Sequence, residues 1–157
     1  MRNKILSAAG CSFQAEITAD YEDKVQVFTL SCKTDAQGNL TFSVAAPETI
    51  SGISGSIDEK GGSLKFDHTM LAFPLLADGQ LSPVSAPWLL MHCLRSGYIA
   101  ACGQEDSLIR STIHDSYAED ALQLEVWFDS ELRPVQGEFV WDGRRILTVV
   151  VSNFLFL

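Results

Sequence analysis

Positive charge is scarce in this chain. Only 11 of its 157 residues are Lys or Arg, against 20 Asp and Glu, for a formal net charge of −9. Nucleic-acid binding needs clustered cations to neutralise phosphates, and electrostatic docking on anionic lipid head groups needs the same, so neither is expected here. No stretch approaches the roughly 18 apolar residues of a membrane-spanning helix. The longest greasy run, Ile146 to Leu157, is shorter and reads as a strand. Catalytic signatures are also missing. His68, His92 and His114 are scattered, without metal-ligand spacing. Cys11, Cys32, Cys93 and Cys102 form no Cys-x-x-Cys. Gly52-Ile53-Ser54-Gly55 lacks the pattern of a nucleophile elbow. There is no phosphate-binding loop and no dinucleotide fingerprint. Linkers, repeats and low-complexity segments are absent too. The reading is one domain over residues 1–157 that is not an enzyme and takes no cofactor or metal.

What the chain does have is strands. Hydrophobic residues make up 46% and charged residues 20%, an ordinary globular composition. Apolar–polar alternation, the mark of a half-buried strand, places Cys11, Phe13, Ala15, Ile17 and Ala19 on one face. Phe28, Leu30 and Cys32 fall on the matching face of the next strand. Across the turn Asp35–Asn39, Cys32 should meet Phe42 and Leu30 should meet Val44. With Tyr21-Glu22 as a two-residue loop, Cys11 would lie opposite Cys32. That pair is read as two buried thiols packed as small hydrophobes, with a disulfide as the alternative.

Ala46–Gly52 suits a short helical turn. Further strands are expected near Ile53–Glu59, Ser63–Asp67 and His68–Phe73, the first two joined by a turn at Lys60-Gly61-Gly62. An irregular apolar stretch, Phe73 to Gly79, follows. The clearest helix has the body Trp88–Arg95, with Ser82 or Ser85 as cap, Pro83 or Pro87 in its first turn and Gly97 as its stop. It is apolar nearly all round, so it should be buried on most sides. Strands resume at Tyr98–Gln104 and Leu108–His114.

The final third gives three strands: Ala121–Phe128, Pro134–Trp141 after the turn Asp129–Arg133, and Arg144–Phe154 after Asp142-Gly143. The last is apolar on both faces, so cover is expected on each side. The expected fold class is mainly β (α+β): a curved antiparallel half-barrel of about ten strands with one apolar helix against its concave face.

The segment Val126-Trp127-Phe128-Asp129, then Leu132-Arg133-Pro134-Val135, Asp142-Gly143 and a last strand ending Ser152-Asn153-Phe154 resembles the LolA-like group of lipoprotein carriers and half-barrel lipoproteins. The order of upstream elements fits as well, so the resemblance covers most of the chain. It implies a short helix at the N-terminus. Met1 to Cys11 imitates a lipoprotein signal, basic, then apolar, then small before a cysteine, but its apolar stretch is shorter than a signal-peptide core. The helix is therefore expected there, with any export signal outside this sequence.

The resemblance also implies an extracytoplasmic domain, anchored to a membrane as a lipoprotein in its precursor, that holds a lipid or acyl chain. The apolar groove candidates are Phe13, Phe28, Leu30, Phe42, Leu64, Phe66, Trp88, Met91, Leu124, Val126 and Phe139. The competing expectation is a cell-surface interaction or sensory module with a filled core and no ligand. In that case Trp127, Trp141 or a sheet edge would meet an envelope protein partner.

Overall fold

The computed structural model describes residues 1–21, 24–73, 76–77 and 80–157, without the side chains of residues 20, 21, 24, 76, 77 and 80. A short helix α1 (Arg2–Ser7) leads into a meander that runs outward from the middle of a sheet: β1 (Gly10–Tyr21), β2 (Lys24–Asp35), β3 (Leu40–Ala46), β4 (Ser54–Asp58), β5 (Gly61–Phe66) and β6 (Thr69–Phe73). A 3₁₀ turn, Glu48–Ile50, stands between β3 and β4, and β7 (Leu76–Ala77) pairs with β8 (Gln80–Leu81) in a separate two-stranded sheet. The chain then enters α2 (Ala86–Ser96) through a second 3₁₀ turn and reappears at the far edge of the sheet. From there β9 (Tyr98–Glu105), β10 (Leu108–His114), β11 (Gln123–Phe128), β12 (Pro134–Trp141) and β13 (Arg144–Phe156) return to the centre, where β13 pairs with β1. All pairings are antiparallel in one unclosed, curved sheet of eleven strands, ordered β6-β5-β4-β3-β2-β1-β13-β12-β11-β10-β9.

The β2–β3 register matches expectation, with Cys32 opposite Phe42 and Leu30 opposite Val44. The β1–β2 register does not. Tyr21 pairs with Lys24, so Cys11 meets Thr34, and Phe13 meets Cys32. The expected loop at Tyr21-Glu22 gives way because Tyr21 stays in β1; Glu22 lies outside the described residues. The second hairpin correction is at Lys60-Gly61-Gly62. Asp58 pairs with Gly61 and its carboxylate accepts the Lys60 amide at 2.7 Å, which closes the turn one step earlier and leaves both glycines in β5.

Those small residues let rings lie flat on the concave face. A Cβ on Gly62 would sit 2.2 Å from the Phe73 ring, and one on Gly55 would sit 2.4 Å from the Ser63 carbonyl and 2.6 Å from the Phe42 ring. Strand β13 also differs from expectation. Leu147, Val149, Val151 and Phe154 are buried on the concave side, but Val150 is 45% exposed on the other. Among the described residues, the sheet has cover on one face only. A register shift near Asn153, whose φ is 53°, turns Phe154 inward onto Phe13, and the rings stack at 5.6 Å.

The helix α2 seats Trp88, Leu90, Met91, Cys93 and Leu94 in the core. Gly137 sits beneath Leu90; a Cβ there would come 3.2 Å from that side chain. The C-terminal carbonyls of α2 are capped from α1: the Arg2 guanidinium donates to Leu94 O at 3.0 Å and also to Gly97 O. Arg95 reaches out instead, donating to Ala36 O on the β2–β3 turn at 2.8 Å.

Two aspartates build loops from within. Asp129 accepts the amides of Glu131 and Arg133 and the Arg133 guanidinium, all at 2.8–2.9 Å. Asp35 accepts the amides of Gln37 and Asn39 and the Asn39 side chain. Partial burial works to raise both carboxyls, but these hydrogen bonds outweigh it and hold both below the ordinary aspartate value. A depressed folded pKa contributes stability that is present above the unfolded value, about 4, and is lost as pH falls through the folded value. Urea unfolding midpoints should therefore drop as the solution is acidified below about pH 4. Asp129→Asn should lower the neutral-pH midpoint and flatten part of that dependence. Gly55→Ala should cost about 1–3 kcal/mol through overpacking, whereas Gly103→Ala, with nothing within 4 Å, should change stability by less than about 0.5 kcal/mol.

Candidate functional site: the open end of the half-barrel

The groove candidates separate into two groups. Phe13, Leu30, Phe42, Trp88, Met91, Leu124, Val126 and Phe139 are buried in one continuous core between sheet and α2. Phe28 and Leu64 are half-buried against it, and Phe66 is 57% exposed. The helix therefore occupies the middle of the concave face.

Beyond α2 the apolar face continues, with no lid among the described residues. Cross-strand pairing carries one face from Phe42 to Gly55, Leu64 and Leu71, and from Ile57 to Gly62 and Phe73. Phe66 lies on the same face as Leu64 by the two-residue period. Leu64, Phe66, Leu71 and Phe73 make an apolar strip at the open end, with Leu71 62% exposed. Leu71 was not among the sequence candidates. The signal that could have found it is the uncharged run Thr69–Phe73, folded back on Leu64–Phe66 by the turn at Asp67-His68.

Two other regions carry polar chemistry. Along one side of α2, a cleft of about 570 Å³ is walled by Trp88, His92 and Arg95 on the helix and by the turns at Gln37–Asn39 and Asp58–Lys60. The rings of Trp88 and His92 stack there at 4.8 Å. On the convex face, Glu125 is buried. It accepts hydrogen bonds from Arg110 Nε at 2.9 Å, Thr112 Oγ1 at 3.0 Å and Gln123 Nε2 at 2.7 Å. The same Arg110 lies over the Trp127 ring, whose indole N–H donates to Glu105 at 3.1 Å. Trp127 is thus held by its own sheet, and Trp141 packs partly against the core. Among the described residues, no three His, Cys, Asp or Glu side chains come together as a metal site, and no helix is long and apolar enough to cross a membrane.

All four cysteines are free thiols. Burial pushes Cys32 up to about 12; burial and, after it, the Asp115 charge do the same for Cys93. Burial also raises Cys11, whose amide donates to Thr34 Oγ1 rather than facing Cys32. Iodoacetamide applied to the native, non-reduced protein should label Cys102 alone, and all four thiols after unfolding. Failure of Cys11 and Cys32 to label when unfolded would contradict the free thiols.

No protein-family model matches this chain, and no curated protein matches it in sequence. Solved structures do match in shape. An uncharacterized conserved protein from Thermus thermophilus superposes with a TM-score of 0.54 at 12% identity, over 99% of this chain and 83% of that one. A DUF1329 family protein from Desulfovibrio piger gives a TM-score of 0.55 at 8% identity, over 99% and 88%. A LolA superfamily protein from Nitrosomonas europaea gives 0.50 at 9% identity, over 99% and 91%. At such identities the likeness is one of fold, and the fold is LolA-like.

Proposed function

We propose that this LolA-like half-barrel is a non-catalytic binding domain that holds an acyl chain along the strip formed by Leu64, Phe66, Leu71 and Phe73. The observation that carries the reading is the exposure of Phe66 and Leu71 on the concave face, where a folded chain ordinarily buries such side chains. Each methylene of an alkyl chain taken out of water there contributes about 0.8 kcal/mol and requires no aligned polar group. Of the other groove candidates, Phe42 adjoins the strip's inner end across Gly55, and Phe28 is half-buried against the core. Phe13, Leu30, Trp88, Met91, Leu124, Val126 and Phe139 support the wall from within the core. On this reading the domain works outside the cytoplasm, in the cell envelope, and its precursor is tethered as a lipoprotein.

A second reading is favoured by one observation, the filled centre. With Trp88, Leu90 and Met91 occupying the concave face, the domain would act as an interaction module for an envelope protein, with no ligand. A titration with a fluorescent fatty-acid probe separates the two. Saturable binding is expected, weakened at least about tenfold by Phe66→Asp. Val150→Asp on the convex face should leave it unchanged. No binding, or binding indifferent to Phe66→Asp, would remove the acyl-chain reading.

A further inference from the structure

An open sheet has two edges, and in this protein they differ. Edge strands present unpaired amides and carbonyls, and natural proteins protect them with charge, proline or bulges. Strand β9 is protected: Ala100 is an extra residue where Thr112 pairs with Ala101 and Ile113 with Ile99, and the strand ends in Glu105. Strand β6 has no such device. Thr69-Met70-Leu71-Ala72-Phe73 contains no charge and no proline. Its five pairs with β5 run without a register shift. It is apolar on both faces, with Met70 71% exposed on the convex side and Leu71 62% exposed on the concave side.

We propose that two copies of this chain pair antiparallel through β6, about a two-fold axis at Leu71. Directly opposed residues share a face of a sheet, and in a symmetric pair residue i meets j while j meets i. The two opposed positions must then have the same parity. A centre at Leu71 satisfies this over the whole strand: Thr69 meets Phe73, Met70 meets Ala72, and Leu71 meets itself. The concave strips of the two copies become continuous, and both exposed side chains gain apolar neighbours.

Electrostatics permits the contact. The chain carries a net charge of −9, yet β6 has no carboxylate, and the cation Lys65 on β5 is paired with Met70. Two acidic molecules thus meet along a strand that itself carries no carboxylate, with Asp67 in the adjoining turn, 3.7 Å from the His68 ring. Two five-residue edges cover less than the roughly 1,200 Å² of a stable, specific interface, so the association is weak and concentration-dependent. The pairing does not require the acyl ligand, and the two ideas fail separately.

Sedimentation over low to high micromolar protein should show a reversible monomer–dimer equilibrium. Met70→Lys, outside the acyl strip, should weaken it at least about tenfold while leaving fatty-acid-probe binding intact. Phe66→Asp, away from the edge, should leave the dimer intact. The register is read by cysteine pairing in a Cys102→Ser background. Leu71→Cys places two thiols on opposed residues, with Cα atoms about 4.5–5.5 Å apart, within reach of a disulfide. Copper(II)–phenanthroline takes two electrons from the two thiols, two protons are released, and one S–S bond forms between the copies. Met70→Cys sets its thiols on the diagonal, about 7–8 Å apart, and should not cross-link. A monomer at every concentration, or cross-linking of Met70→Cys as readily as Leu71→Cys, would overturn the proposal. Pairing of β6 with a different protein in place of its copy would overturn it too.

Discussion

The seat of α2 on the concave face is the constraint on which the rest of the molecule depends. The two meanders run in opposite directions from the β1–β13 junction, and only the segment containing this helix connects their outer ends. The helix supplies the second layer that an open sheet needs to bury its apolar face. Gly137 gives Leu90 room to approach the strands, and Arg2 satisfies the carbonyls at the helix C-terminus from outside the sheet. A single helix of eleven residues cannot cover eleven strands. The consequence, among the described residues, is a sealed centre and an uncovered end, and the functional reading rests on that unequal cover.

The unequal cover also separates the two functions weighed for this fold. Were the helix absent from the middle, Phe13, Leu124 and Phe139 would line a deep groove. With it in place they are core, and the accessible apolar surface moves to β5 and β6. The glycines of β4 and β5 belong to the same arrangement. They let the Phe42 and Phe73 rings lie flat where the strip begins. The convex face follows a different logic. Glu125, Arg110 and Trp127 interlock there as a polar network that is satisfied internally.

Much of the architecture was legible in the residues. Period-two alternation marked the strands, Asp142-Gly143 marked a tight turn, and both residues adopt positive φ there. Asp129, which carried the family resemblance, organises its loop through three hydrogen bonds. The β1–β2 register was not legible. The expected and observed pairings differ by two residues, and a two-residue slip leaves every side chain on its original face, so the hydrophobic pattern cannot distinguish them. The apolar outer face of β13 misled for a related reason: pattern reports what a strand can bury, not whether anything is there to bury it.

The residues alone therefore determined the local pieces: antiparallel strands, their inward faces, an apolar helix, aspartate-built turns and a net negative charge. Only the folded chain decided which apolar residues remain in contact with water. That outcome depends on where one short helix comes to rest on a sheet joined across its middle by residues nearly the whole chain apart. Contacts of such separation leave no periodic trace in sequence.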